Sequence, residues 1–177
     1  MSDPSVRPTE WLSRDEIAPV LGSPGGVLGL DLARKWGWAA IGPGGDYVAS
    51  GHRALRVGAD RGEQAHQLQN SIADLVTKYG PDWIAIEKPH SPHYGASRNL
   101  FGYAMIAHWV AHIRELGFVE LSRAECYLSI VGKGNAKKAS GVLFGRQFKP
   151  LLNSDDESDA ILVAMAAHKL RENKEAA

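Results

Sequence analysis

The sequence predicts an α/β fold: a mixed five-stranded sheet, partly an antiparallel meander and partly parallel, flanked by helices. Three observations predict it. Three short strand-like runs separated by turn residues fill the stretch from Val27 to Ser50. After them, helical and strand-like periodicities alternate, as they do where crossover connections lay strands parallel. Near the C-terminus, Ile161 to Ala167 is apolar around a whole helical circumference, which marks a helix buried in a core rather than lying on a surface.

Residues 1–26 carry Pro4, Pro8, Pro19 and Pro24 and read as a mobile N-terminal arm, with a short helix at Trp11 to Ile17. The folded domain is expected over 27–170, with a tail at 171–177. Val27 to Leu32 is an apolar run bounded by glycines, a buried strand. Trp36 to Ile41 is the second strand, Pro43 to Asp46 is turn chemistry, and Tyr47 to Ser50 begins the third. From Arg61 to Tyr79, apolar residues at Ala65, Leu68, Ile72, Leu75 and Val76 follow a helical period that Gly80 and Pro81 end. Asp82 to Glu87 is the next strand, parallel to an earlier one because a helix precedes it. A long helix from Arg98 to Leu116, a short strand from Phe118 to Leu121 and a helix ending near Phe148 come next. The last helix starts near Ser154, whose spacing to Glu157 is that of a capping box.

The 177 residues, 44% of them hydrophobic, suffice for one α/β domain. Lys+Arg and Asp+Glu are both 20, so the formal charge is zero, yet the charge is unevenly spread. Between Lys88 and Lys149 stand Lys88, Arg98, Arg114, Arg123, Lys133, Lys137, Lys138, Arg146 and Lys149, opposed only by Glu115, Glu120 and Glu125. A basic middle beside acidic residues suits a polyanion gripped around a metal. Cys126 is the only cysteine, which excludes a disulfide framework and a thiolate metal site and points to a reducing, cytoplasmic setting. No apolar run reaches the roughly 18 residues that span a bilayer, so no membrane partner is expected.

The chemistry-bearing residues are acids in the wrong places for solvation. Asp31 interrupts a buried strand, where a lone carboxylate is costly unless paired or metal-bound. Glu87 ends the parallel strand, and if that strand neighbours the first, the two acids lie side by side and repel unless a cation intervenes. Asp156 and Asp159 share a face of the last helix. Helix-start electrostatics explains Asp155 or Glu157 but not Asp159, which already enters the apolar run. Gly132 to Lys138 forms a glycine-rich basic turn without the pattern of a Walker A loop; it suits backbone approach to a phosphate as well as a turn with solvated lysines. His108 and His112 have the spacing of a zinc pair but lack the intervening Glu, so a helix surface or dimer face is the better reading.

In this order the residues resemble the RNase H-like superfamily, and within it the RuvC-type Holliday-junction resolvases. The resemblance covers about Val27 to His168. It rests on the Gly29, Leu30, Asp31 strand, the Ile86, Glu87 strand end, the G-x-G-x-A-x-K turn (Gly132, Gly134, Ala136, Lys138) and D-x-x-D-A (Asp156, Asp159, Ala160). It implies that Asp31, Glu87, Asp156 and Asp159 bind two Mg²⁺ ions, with Mn²⁺ substituting, about 4 Å apart across an in-line phosphodiester displacement. Lys138 would be the catalytic cation near the scissile phosphate. Lys88, His90, Tyr94, Arg98, Lys133, Asn135, Lys137 and Lys138 would contact branched DNA.

The resemblance further implies an endodeoxyribonuclease that cuts four-way junctions, acting as a homodimer through the long helix because resolution takes two symmetric cuts. Three departures mark a divergent branch, of phage or mobile-element type. His90 stands where the family often has a junction-wedging aromatic, with Tyr94 the nearest one, Tyr127 replaces a usual basic residue, and the chain is neutral overall where the family is usually basic. The rival readings are a nuclease of the same fold acting on RNA or an RNA:DNA hybrid, and a junction-binding protein that does not cleave. A sugar kinase or ATPase is disfavoured, since the chain is too short for two such lobes.

Overall fold

The computed structural model describes residues 25–90, 94–152 and 154–175. Apart from Gly25 and Gly26, the expected N-terminal arm lies outside the described residues, as does the helix at Trp11 to Ile17. Five strands form one sheet: β1 (Val27–Asp31), β2 (Lys35–Ile41), β3 (Tyr47–Ala54), β4 (Trp83–Glu87) and β5 (Gly117–Leu121), in the spatial order β3-β2-β1-β4-β5. The first three form the antiparallel meander, with Leu30 opposite Trp38. β4 lies parallel to β1, with Leu30 beside Ile86, and β5 lies parallel to β4. The expected mixed sheet is therefore the observed one.

Among the described residues the helices are α1 (Arg61–Tyr79), α2 (Tyr94–Ile113), α3 (Arg123–Val131), α4 (Lys138–Gly145) and α5 (Asp155–Glu175). The period-two alternation of the strands divides the core into two layers. Leu28, Leu30, Ile84 and Ile86 face α1 and α2, packing on Leu68, Ile72, Ala107 and Val110. Val27, Ala39 and Ala85 face the other way, onto Ala160, Ile161, Val163 and Ala164 of α5. Each fully buried Leu or Ile stabilises the fold by about 1.5–3 kcal/mol, so two such layers can carry a cluster of unfavourable charge at the sheet's end. No helix of the described residues is long and apolar enough to cross a membrane.

Strand ends shift by a residue, and the helices differ from the sequence reading as follows. The helix expected over 98–116 begins at Tyr94 and stops at Ile113, because the chain turns through Glu115 at φ 54° and the Leu116 amide bonds back to the Ala111 carbonyl. The helix expected to reach Phe148 stops at Gly145; tight turns closed on the Gly145 and Lys149 carbonyls follow. The last helix continues through 171–175, where a tail was expected.

Candidate active site

Strand parity decides which acids meet. Asp31 has the parity of Val27 and Gly29, and Glu87 that of Ala85, so both project from strand ends toward the α5 layer. The parallel pairing of Leu30 with Ile86 places them at the same edge of neighbouring strands. Two glycines let α5 lie close against this face. A Cβ at Gly29 would come within 2.6 Å of the Ala160 carbonyl and of Ala164, and one at Gly37 would overlap the Asp156 carbonyl. Gly37 is the β2 partner of Asp31, so the first turn of α5 rests beside Asp31 and brings Asp156 and Asp159 to it.

The electrostatics follow from this crowding. Burial first, then the charges of Glu87, Asp159 and Asp156, push the Asp31 carboxyl up to about 8, with Lys138 opposing. Burial, and after it Asp159, also raise Glu87, against Arg123 and Lys138. Asp159 is raised chiefly by burial, against Lys138 and Arg123, and it accepts a 3.4 Å hydrogen bond from the Tyr127 hydroxyl. Lys138, the first residue of α4, reaches Asp155 Oδ2 at 3.3 Å and Asp159 Oδ2 at 3.7 Å. Burial alone would lower its ammonium, but Asp159 and Asp155 hold it above its ordinary value.

Among the described residues, no three His, Cys, Asp or Glu side chains close on one point at liganding distance. Glu87, Asp159 and Asp156 stand near enough to raise Asp31, and Lys138 bridges Asp159 and Asp155. The donor set nevertheless fits a hard divalent cation: oxygen ligands only, more negative charge than the adjacent cations offset, and a carboxylate that burial and neighbouring acids hold well above its ordinary range.

Glu157 is committed elsewhere. It is 1% exposed and accepts hydrogen bonds from Ser50 Oγ at 2.5 Å and Lys149 Nζ at 2.7 Å, with His52 Nδ1 at 3.7 Å. Tyr47 shares a further 2.8 Å bond with Ser50. Only half of the expected capping box therefore forms. Ser154 Oγ accepts from the Glu157 amide at 3.3 Å, while the Glu157 side chain ties the start of α5 to the edge strand β3 instead.

Of the residues expected to meet DNA, the structure brings Lys138 to the acids. Lys88 and His90 are exposed just beyond β4, and Lys133, Asn135 and Lys137 are exposed in the turn between α3 and α4. Arg98 is exposed on α2, and the Tyr94 side chain lies outside the described residues. His108 and His112 are exposed, His108 stacking on Phe118 at 4.4 Å. Sequence reasoning counted Arg123 only within the basic stretch and Tyr127 only as a departure, whereas both flank Asp159. The available signal was the capping box of Ser122 and Glu125, which starts α3 at Arg123 and puts residues 123 and 127 on one face.

No family model matches the chain. It is 32% identical over 152 residues to the crossover junction endodeoxyribonuclease RuvC of Maricaulis maris, covering 82% of this chain and 92% of that protein. To the crossover junction endodeoxyribonuclease RuvC of Gluconacetobacter diazotrophicus it is 30% identical over 146 residues, 78% and 87% of the two chains. Among solved structures, Thermus thermophilus RuvC in complex with Holliday junction substrate superposes with a TM-score of 0.74 at 14% identity, over 83% of this chain and 95% of that one. That likeness establishes the RNase H-like fold.

Proposed function

The chain belongs to the RuvC family of crossover junction endodeoxyribonucleases, and from that premise we propose that it cleaves four-way DNA junctions by metal-assisted phosphodiester hydrolysis. The observation that supports this reading is the charge of Glu87, Asp159 and Asp156, from a neighbouring strand end and one helix, acting on buried Asp31, with Lys138 paired to Asp159. These four carboxylates would hold two Mg²⁺ ions, with Mn²⁺ able to substitute. Bound there, the metal supplies an activated water and neutralises charge on the displaced 3′-oxygen.

The remaining work belongs to the chain's own groups. Asp31 and Glu87, on rigid strand ends, fix the acidic floor, while α5 holds Asp156 and Asp159 over it. Lys138, paired with Asp155 and Asp159 at the edge of the cluster, would offer its ammonium to the phosphate as negative charge builds. The exposed Lys88, His90, Lys133, Asn135 and Lys137 give the strand its track, with the exposed Arg98 of α2 extending it. Products carry a 5′-phosphate and a 3′-hydroxyl.

A homodimer delivers the paired cuts. Phe101, Met105, Trp109 and Ile113 recur every four residues along α2 and are 57%, 64%, 48% and 39% exposed. This apolar stripe is what a two-fold helix-to-helix contact would cover. We place the enzyme in the cytoplasm, where its lone thiol stays reduced.

The test is a substrate panel of four-way junction, flap, duplex and RNA:DNA hybrid, with and without Mg²⁺, using Asp31→Asn as control. Symmetric junction cleavage that needs both the metal and Asp31 is expected. Cleavage of the hybrid alone, or junction binding without any cut, would overturn the proposal.

A further inference from the structure

Arg123 flanks the acidic cluster without an acid of its own. Among the described residues no carboxylate lies within ion-pairing distance of it, whereas Lys138 is engaged by both Asp155 and Asp159. Its guanidinium lies 5.0 Å over the Tyr127 ring, and Nη2 donates to the Tyr127 hydroxyl at 3.2 Å. That hydroxyl in turn donates to Asp159 Oδ1 at 3.4 Å. The Tyr127 side chain cannot drift, because it is 1% exposed and α4 closes over it: a Cβ at Gly141 would overlap its hydroxyl. An exposed arginine ordinarily wanders and contributes little. This one is stacked and hydrogen-bonded, so less freedom is lost when it takes a ligand.

One of the five guanidinium N–H donors goes to Tyr127, which leaves donors for a two-oxygen acceptor. Asp159 and Glu87 feel its charge, but no carboxylate of the described residues lies within ion-pairing distance to take those donors. A phosphate approaching four acids needs a cation beside it, and Arg123 is the one basic residue of α3. We propose that Arg123 is a phosphate-binding residue of the active site, engaging a backbone phosphate of the strand being cut, and that Tyr127 positions both this guanidinium and Asp159. The proposal rests on the junction-cleavage reading above.

The test compares wild type with Arg123→Ala, Arg123→Lys and Arg123→Gln, the last keeping the stack on Tyr127 without the charge. Binding to junction and to plain duplex is followed as a function of salt in an Asp31→Asn background, which leaves the DNA uncut. Single-turnover cleavage is followed with Asp31 intact, on junctions carrying one neutral methylphosphonate at successive positions of the cut strand. Arg123→Ala and Arg123→Gln are expected to weaken binding about tenfold and to flatten the salt dependence by about one phosphate contact. Arg123→Lys should recover the salt dependence but not the full rate, because a point charge replaces a fork.

At one position, a methylphosphonate should slow the wild type and have no further effect on Arg123→Gln. An unchanged salt slope, or the same methylphosphonate profile in wild type and Arg123→Gln, would overturn the assignment. If the wild type cuts no junction, the functional reading fails, and the salt slope on duplex still decides whether Arg123 holds a phosphate. Tyr127→Phe should keep the slope and lower the rate; loss of the slope would show that the hydroxyl, not the ring, sets the guanidinium.

Discussion

The α-carbon of Gly37 lies against the backbone of Asp156: a Cβ there would overlap the Asp156 carbonyl and come within 2.7 Å of the Glu157 nitrogen. Because Gly37 pairs with Asp31 across the meander, this contact sets how far the first turn of α5 stands from the end of β1. Replacing Gly37 by Ala must lift or slide α5. A loss of about 1–3 kcal/mol is expected, as for other overpacked cores, with a larger proportional loss of cleavage. Urea denaturation and single-turnover rates on the same variant check it; wild-type values in both would show that the close approach does not set the site.

Asp31 makes the metal-free protein sensitive to pH in a stated direction. Its ordinary value is 3.8 and the fold raises it to about 8, so between those limits the folded state binds more protons than the unfolded one. Stability is then fully present below about pH 4 and is lost progressively until pH passes about 8. Glu87 and Asp159, also raised, act with the same sign. In chelator, denaturation midpoints should fall from pH 5 to pH 8, and Asp31→Asn should flatten that fall while abolishing cleavage. Equal pH slopes for the two proteins would refute it.

Divalent metal should reverse the same penalty. A ligand that binds only the folded state stabilises it by mass action, and here it competes with protons. Millimolar Mg²⁺ is expected to raise the melting temperature more at pH 8 than at pH 5, with proton release in calorimetry. Absence of heat with both Mg²⁺ and Mn²⁺ would remove the metal from the proposal.

The Glu157 network should act on stability first and on cleavage through it. Removing Lys149 as Lys149→Met leaves a buried carboxylate with fewer partners, which costs about 1–3 kcal/mol. Ser50→Ala should cost a similar amount, and the double variant less than the sum, since both partners share one carboxylate. Strict additivity in a double-mutant cycle would show that the two bonds are independent.

The apolar stripe on α2 predicts the assembly. Met105→Glu together with Trp109→Glu should yield a monomer by light scattering, with junction cuts that become uncoupled or single. A variant that stays dimeric would place the dimer contact on another surface.

Strand identity, strand parity and the buried character of α5 were legible in the sequence because they are written in local periodicity, which a window of a few residues carries. Asp31 and Glu87 were readable as neighbours only if the strand after the helix lay beside the first; the parallel pairing of β4 with β1 decides that. Other features depended on which distant groups the packing brings together. The Ser154, Glu157 spacing suggested a closed capping box, but the Glu157 carboxylate found a stronger set of partners in Ser50 and Lys149. Arg123 looked like one more solvated cation until α3 and α4 packed Tyr127 beneath it. Local pattern decides direction and face at little cost in information, whereas the partners of a buried charge are selected by tertiary approach, set here by two glycines that let one helix come close.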